Sequence, residues 1–140
     1  MAEPVSSIVT LATVGLAIIK TTAQFIDEVK TINTALARLK STLADFESRI
    51  KIVKSTCARV PPRDDDASGY VMKTLKRCNR HLKRIQDVVQ HLLDHESQTI
   101  FQQVALTIMS RRSNREIESA ISDLKNLMEQ VNLGLNCWNM

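Results

Sequence analysis

The residues with side chains able to do chemistry are few, and their spacing is unhelpful to catalysis. His91 and His95 are four apart and would share a helix face, but Leu92, Leu93 and Asp94 lie between them, so the zinc-protease pattern of two histidines with a glutamate after the first is absent. Cys78 and His81 are three apart and supply two ligands, where a structural zinc site takes four. Asp64, Asp65 and Asp66 are adjacent, without the alternating spacing of a calcium loop. The glycines are Gly15, Gly69 and Gly134, which leaves no phosphate-cradling glycine loop. The reading is a non-enzyme with no metal and no cofactor.

What remains is charge. Lys73, Lys76, Arg77, Arg80, Lys83 and Arg84 supply six basic residues and no acid across twelve positions. At about 100° per residue they fall within about 120° of arc on a helix, opposite an apolar seam of Leu75, Cys78, Leu82, Ile85, Val89 and Leu92. His91 and His95 extend that basic face. Such a stripe is either a solvated bundle face or a docking surface for an anion. Near an anionic lipid leaflet each Lys or Arg contributes about 1 kcal/mol. Nucleic acid would use the same charges, but aromatics are 4% of the chain and no stacking platform accompanies the stripe, which argues against it.

The elements that must position these residues are helical. The chain has 140 residues, 44% apolar and 24% charged, with three glycines and three prolines, a composition that suits one helical domain. Net charge is +4 and the pI is near 9.2. The three cysteines, Cys57, Cys78 and Cys137, are odd in number and widely spaced, which fits a reducing compartment. Leu36, Leu39, Leu43, Phe46, Ile50, Val53 and Cys57 step by threes and fours, the spacing of one buried helix seam. Pro61 and Pro62 end that helix. A third helix carries the basic stripe. Ser97 reads as a cap for a short helix containing Val104, Ala105, Ile108 and Met109. Ser113 and Glu116 read as a capping box opening a last helix with Ile117, Ile121, Leu124, Met128, Val131 and Leu135. The expectation is an all-α antiparallel bundle of four long helices plus a short one, over about 5–30, 34–58, 69–95, 98–111 and 114–137, as a single domain over 1–140.

The first helix differs from the rest. Between Glu3 and Lys20 there is no charge. Glu3 precedes the apolar stretch and Lys20 follows it, the reverse of a secretory signal's basic start. The uncharged run is shorter than the roughly 20 residues of a membrane span. Tolerating Lys20 extends it to Ile26, though Ser6, Ser7, Thr10, Thr13, Thr21 and Thr22 dilute it. A 22-residue helix from Val5 to Ile26 would be about 33 Å long, close to the ~30 Å hydrocarbon core. Gly15 and Lys20 are where it would bend.

Two stretches also carry a family resemblance. The opening MAEPVSSIVTLATVGLAIIK, followed by FIDEVK, resembles the start of fungal HeLo-like domains, with Met1, Ala2, Glu3, Pro4, Val5, Ser6, Gly15 and Leu16 matching their pattern. The closing REIESAISDLKNLMEQVNLGLN is similar to their last helix through Ile121, Leu124, Lys125, Leu133 and Leu135. The turn after the first helix departs from the Asp-Ala-Pro-like form of many relatives, reading Thr31-Ile32-Asn33-Thr34, and Ala105 to Ser113 lack the aromatics often found there. HeLo-like domains stand at the N-terminus of fungal NLR-type (STAND) receptors and of amyloid-signalled effectors in programmed cell death and heterokaryon incompatibility. The resemblance implies a bundle like the cell-death domain of the pseudokinase MLKL, cytoplasmic at rest and at the plasma membrane on activation. It implies a monomer or dimer at rest and a pore-forming homo-oligomer when activated by a C-terminal signalling domain or amyloid motif in a longer protein.

On that reading Val5, Ile8, Val9, Leu11, Val14, Gly15, Leu16, Ile18 and Ile19 are the membrane-inserting residues. Lys73, Lys76, Arg77, Arg80, Lys83 and Arg84 would bind anionic membrane lipids. The alternative is a non-lytic regulatory or protein-interaction domain of an NLR-type receptor, for which the apolar seams and the lack of catalytic groups suffice.

Overall fold

The computed structural model describes the backbone of residues 3–29, 34–61, 65–94 and 100–139, and the side chains of 7–29, 34–61, 65–94 and 114–138. Four helices make up nearly all of it: α1 (Glu3–Glu28), α2 (Thr34–Arg59), α3 (Asp65–Asp94) and α4 (Ile100–Asn139). No strand occurs among the described residues, as the 3/4 spacing of apolar residues requires.

The seam foreseen in α2 is buried along its whole length, from Leu36 to Cys57. In α3, Leu75, Cys78, Leu82, Ile85 and Val89 are buried, while Leu92 at the far end is half-buried. In α4, Ile117, Ile121, Leu124, Val131 and Leu135 are buried; Met128 is half-buried and Leu127 takes the core position beside it. Trp138 is buried too, and its indole N–H donates to the Val60 carbonyl at 2.8 Å, tying the end of α4 to the end of α2.

Two sequence-based boundaries are corrected. The short helix over 98–111 and the last helix over 114–137 are one continuous helix, Ile100–Asn139. Ser113 does not cap it, because nothing from Ile100 to Leu133 interrupts the hydrogen-bond ladder: no proline or glycine occurs there. The Ser-x-x-Glu pattern is also compatible with a helix interior. The third helix starts earlier than 69, so that Asp65 and Asp66 form its first turn, where their charge complements the helix dipole. The capping role assigned to Ser97, and residues Asp64 and His95, lie outside the described residues.

The helices form a ring in the order α1, α3, α4, α2, with α1 opposite α4 and α2 opposite α3. Contacts fix the directions. Arg38 pairs with Glu118 and Trp138 with Val60, so α2 and α4 run parallel. Arg77 bonds Gln130 and His81 faces Asp123, so α3 and α4 run antiparallel. Lys40 pairs with Asp27, which makes α1 and α2 antiparallel. The wholly antiparallel bundle expected from short connections is therefore only partly realised. Helices successive in sequence are antiparallel, but α2 to α3 crosses the bundle diagonal, which sets α1 and α3 side by side and parallel.

Candidate functional site

The basic stripe and the uncharged helix meet along the α1–α3 edge. On α1 the core stripe is Ile8, Ala12, Gly15, Ile19, Thr22 and Ile26, stepping by fours and threes, and Val29 continues it just past the helix end. Of the residues expected to insert, Ile8, Gly15 and Ile19 thus face the core. Val9, Leu11, Leu16 and Ile18 are half-buried, and Val14 is 46% exposed. The side chain of Val5 lies outside the described ones. The outer face of α1 presents Thr10, Thr13, Val14 and Ala17 to solvent and is uncharged until Lys20.

Hydropathy agrees with that view. The stretch Ser7–Glu28 is 22 residues long; its most apolar 18-residue window has mean hydropathy 1.5, and 28% of that window is buried in the bundle. By length and composition it is able to cross a membrane; a core helix passes the same test. Two of the threonines that dilute it keep their hydroxyls satisfied inside the helix. Thr13 donates to Val9 O at 2.8 Å and Thr22 to Ile18 O at 2.7 Å. A hydroxyl bonded to its own helix costs less to bury, whether in a protein core or in lipid.

Across the edge, Asn79 of α3 reaches α1. Its amide nitrogen donates to the Leu11 carbonyl at 3.0 Å. Gly15 makes room for it: a Cβ there would lie 2.7 Å from Asn79 Oδ1. Lys76 and Lys83 stand one turn before and after Asn79 on the same side of α3. They therefore lie beside the exposed flank of α1.

All six basic residues, Lys73, Lys76, Arg77, Arg80, Lys83 and Arg84, are exposed. Arg77 bonds Gln130 at 2.9 Å, and Lys83 lies 3.8 Å from Asp87. The other four pair with no carboxylate among the described residues. His91, expected to extend the stripe, is exposed at the end of α3. No acid interrupts the helix between Asp66 and Asp87, so these charges reinforce one another at a shared outer surface.

Sequence reasoning missed Asn79 and the core role of Trp138. Neither had a usable signal: the partner of Asn79 lies 68 residues away, and that of Trp138 is a backbone carbonyl 78 residues away. Cys57 and Cys78 are buried, and burial pushes their thiols up to about 11 and about 12. They are packing groups, since reactivity belongs to the thiolate. Cys78 and His81 recruit no further ligand: among the described residues, no three metal-binding side chains come together. No protein-family model, curated protein or solved structure matches this chain, so its surface is interpreted from its own residues.

Proposed function

We propose that this bundle binds anionic membranes through the basic face of α3 and, once oligomerised, commits α1 to the bilayer and permeabilises it, as in the execution of cell death. The observation that carries this reading is the shared edge. An exposed, uncharged flank on a helix of spanning length lies beside a face of six exposed basic residues. Four unpaired cations at an anionic leaflet would together contribute about 4 kcal/mol. That attraction would hold the flank of α1 at the lipid surface. The core stripe of α1 becomes available to lipid only if α1 leaves the bundle, which is why oligomerisation enters the reading. The resting protein would be cytoplasmic and the activated one at the plasma membrane, with an activating partner supplied by a longer chain.

One observation favours the alternative, a non-lytic interaction domain. Ile8, Ile19 and Ile26 are at most 1% exposed, so α1 is an integral part of the core. Dye release from vesicles separates the two readings. Protein oligomerised by a fused self-assembling segment should empty vesicles containing phosphatidylserine and spare purely zwitterionic ones. Reversing Lys76, Arg77, Arg80 and Lys83 to Glu should abolish binding and release together. If the oligomer binds anionic vesicles but leaves them intact, the lytic reading fails and the interaction-domain reading stands.

A further inference from the structure

Among the described residues α1 packs against α2 and α3 and not against α4. Its two sides are tied at different heights. Beyond Glu28 a short connection leads into α2, and Asp27 pairs there with Lys40, both side chains about half exposed. Roughly 24 Å of helix back from Asp27, Asn79 of α3 donates to the Leu11 carbonyl at 3.0 Å, from a half-buried position. A departure of α1 that keeps its connection to α2 therefore pivots near Glu28 and has to break the tie at Leu11.

That tie can break cleanly. The Leu11 carbonyl already accepts the Gly15 N–H of its own helix, so the Asn79 amide takes its second lone pair. Once the Asn79 bond is gone, no backbone group of α1 is left unpaired, which is the condition a helix must meet in lipid. Asn79 stands at the α1–α3 edge, one turn from Lys76 and Lys83, where water or a lipid oxygen can take its N–H instead. Gly15 leaves nothing to interlock: Asn79 Oδ1 sits 2.7 Å from where a Cβ would lie, so no side chain at that position has to withdraw.

We infer that Asn79 is the latch that holds α1 in the resting bundle and sets how readily α1 commits to the bilayer. The latch rests on the permeabilising reading above and supplies the residue that controls its first step. A neutral hydrogen bond of this kind shifts an opening equilibrium about fivefold. Trp138 provides the comparison. Its indole also donates to a distant backbone carbonyl, that of Val60 at 2.8 Å, but it joins α4 to α2 and stays intact when α1 alone opens.

The test uses one background, Cys137→Ser with Thr22→Cys, because Thr22 is an α1 residue at 1% exposure whose replacement is close to isosteric. In solution without vesicles, Asn79→Ala should speed labelling of the introduced thiol about fivefold, followed by peptide mass. Trp138→Phe should lower the urea midpoint and leave that labelling rate as in the parent. Oligomerised by the fused segment, Asn79→Ala should release dye from phosphatidylserine vesicles about fivefold faster at equal bound protein, and Trp138→Phe should not. Labelling that does not change in Asn79→Ala, or that rises as much in Trp138→Phe, would overturn the latch. So would unchanged release by Asn79→Ala where the parent oligomer does release dye. If the parent oligomer releases none, the permeabilising function fails, and labelling still decides whether Asn79 holds α1 in place.

Discussion

Helices α1 and α3 lie side by side and parallel, yet they are held in place by different means. In α3 the two faces could hardly differ more: Val71, Leu75, Leu82 and Val89 point inward, and six cations point outward. Turning α3 about its axis would bury charge, so its own sequence fixes its orientation. In α1 the faces differ little. Its core stripe includes Ala12, Gly15 and Thr22, while Val14 is exposed and Ile18 only half-buried. The orientation of α1 is set instead by its neighbours, through close approach at Gly15 and the Asn79 hydrogen bond. A helix held by its partners rather than by its own polarity needs little rearrangement of its side chains to exchange one apolar environment for another.

The largest expected effect comes from giving α1 the polarity it lacks. Val14 is exposed in the bundle, so Val14→Lys should change folding stability by no more than about 0.5 kcal/mol. At the centre of a bilayer the same lysine costs about 2.5–3.5 kcal/mol. Dye release should therefore fall about 100-fold, while vesicle binding through α3 and the urea midpoint stay the same. Unchanged release would show that α1 remains in water, and the contrast with α3 would then be one of composition only.

A smaller effect should come from the contact that joins the two helices. Asn79→Ala removes the hydrogen bond to Leu11 O and should cost about 1 kcal/mol. Hydrogen exchange would localise that loss. Amides of α1 should exchange about fivefold faster while those of α2 and α4 hold, because α1 opens without the rest. Gly15→Ala gains about 1 kcal/mol of helix propensity but drives a methyl group into Asn79. The two effects should nearly cancel in the wild-type background and leave a clear gain in the Asn79→Ala background. Additive energies in the double-mutant cycle would mean that the close approach at Gly15 does not couple the helices.

The contrast also explains what was legible in the sequence. The seams of α2 and α3 stood out because large aliphatic residues recur every three or four positions with charge between them. The stripe of α1 was hidden, since alanine, glycine and threonine hold core positions and aliphatic residues lie on every side. The basic face could be drawn from spacing alone, because a helix fixes which residues share a side. Its adjacency to α1 could not, because it depends on a diagonal connection that brings α3 next to α1. The pattern at Ser113 misled because a capping box describes local hydrogen bonding that an uninterrupted helix overrides.

The effect of pH falls on one side of the comparison. Cys57 in α2 and Cys78 in α3 are buried with thiols raised to about 11 and about 12, against 9.0 in the unfolded chain. Between pH 9 and those values the unfolded chain releases protons that the folded chain keeps. Stability is therefore full below about pH 9 and declines as pH rises, by at most about 1.4 kcal/mol per pH unit for each thiol. Cys78→Ala should flatten that decline in thermal melts between pH 9 and 11, the slope being the readout because the lost sulfur lowers the midpoint at every pH. From Ile8 to Ile26 the core stripe of α1 has no ionisable side chain. The extra exchange of α1 in Asn79→Ala, taken relative to wild type at each pH, should then be the same at pH 7 and pH 9. A pH-dependent ratio would mean that α1 is held by a titrating group, contrary to the hydrogen bond and close packing that distinguish it from α3.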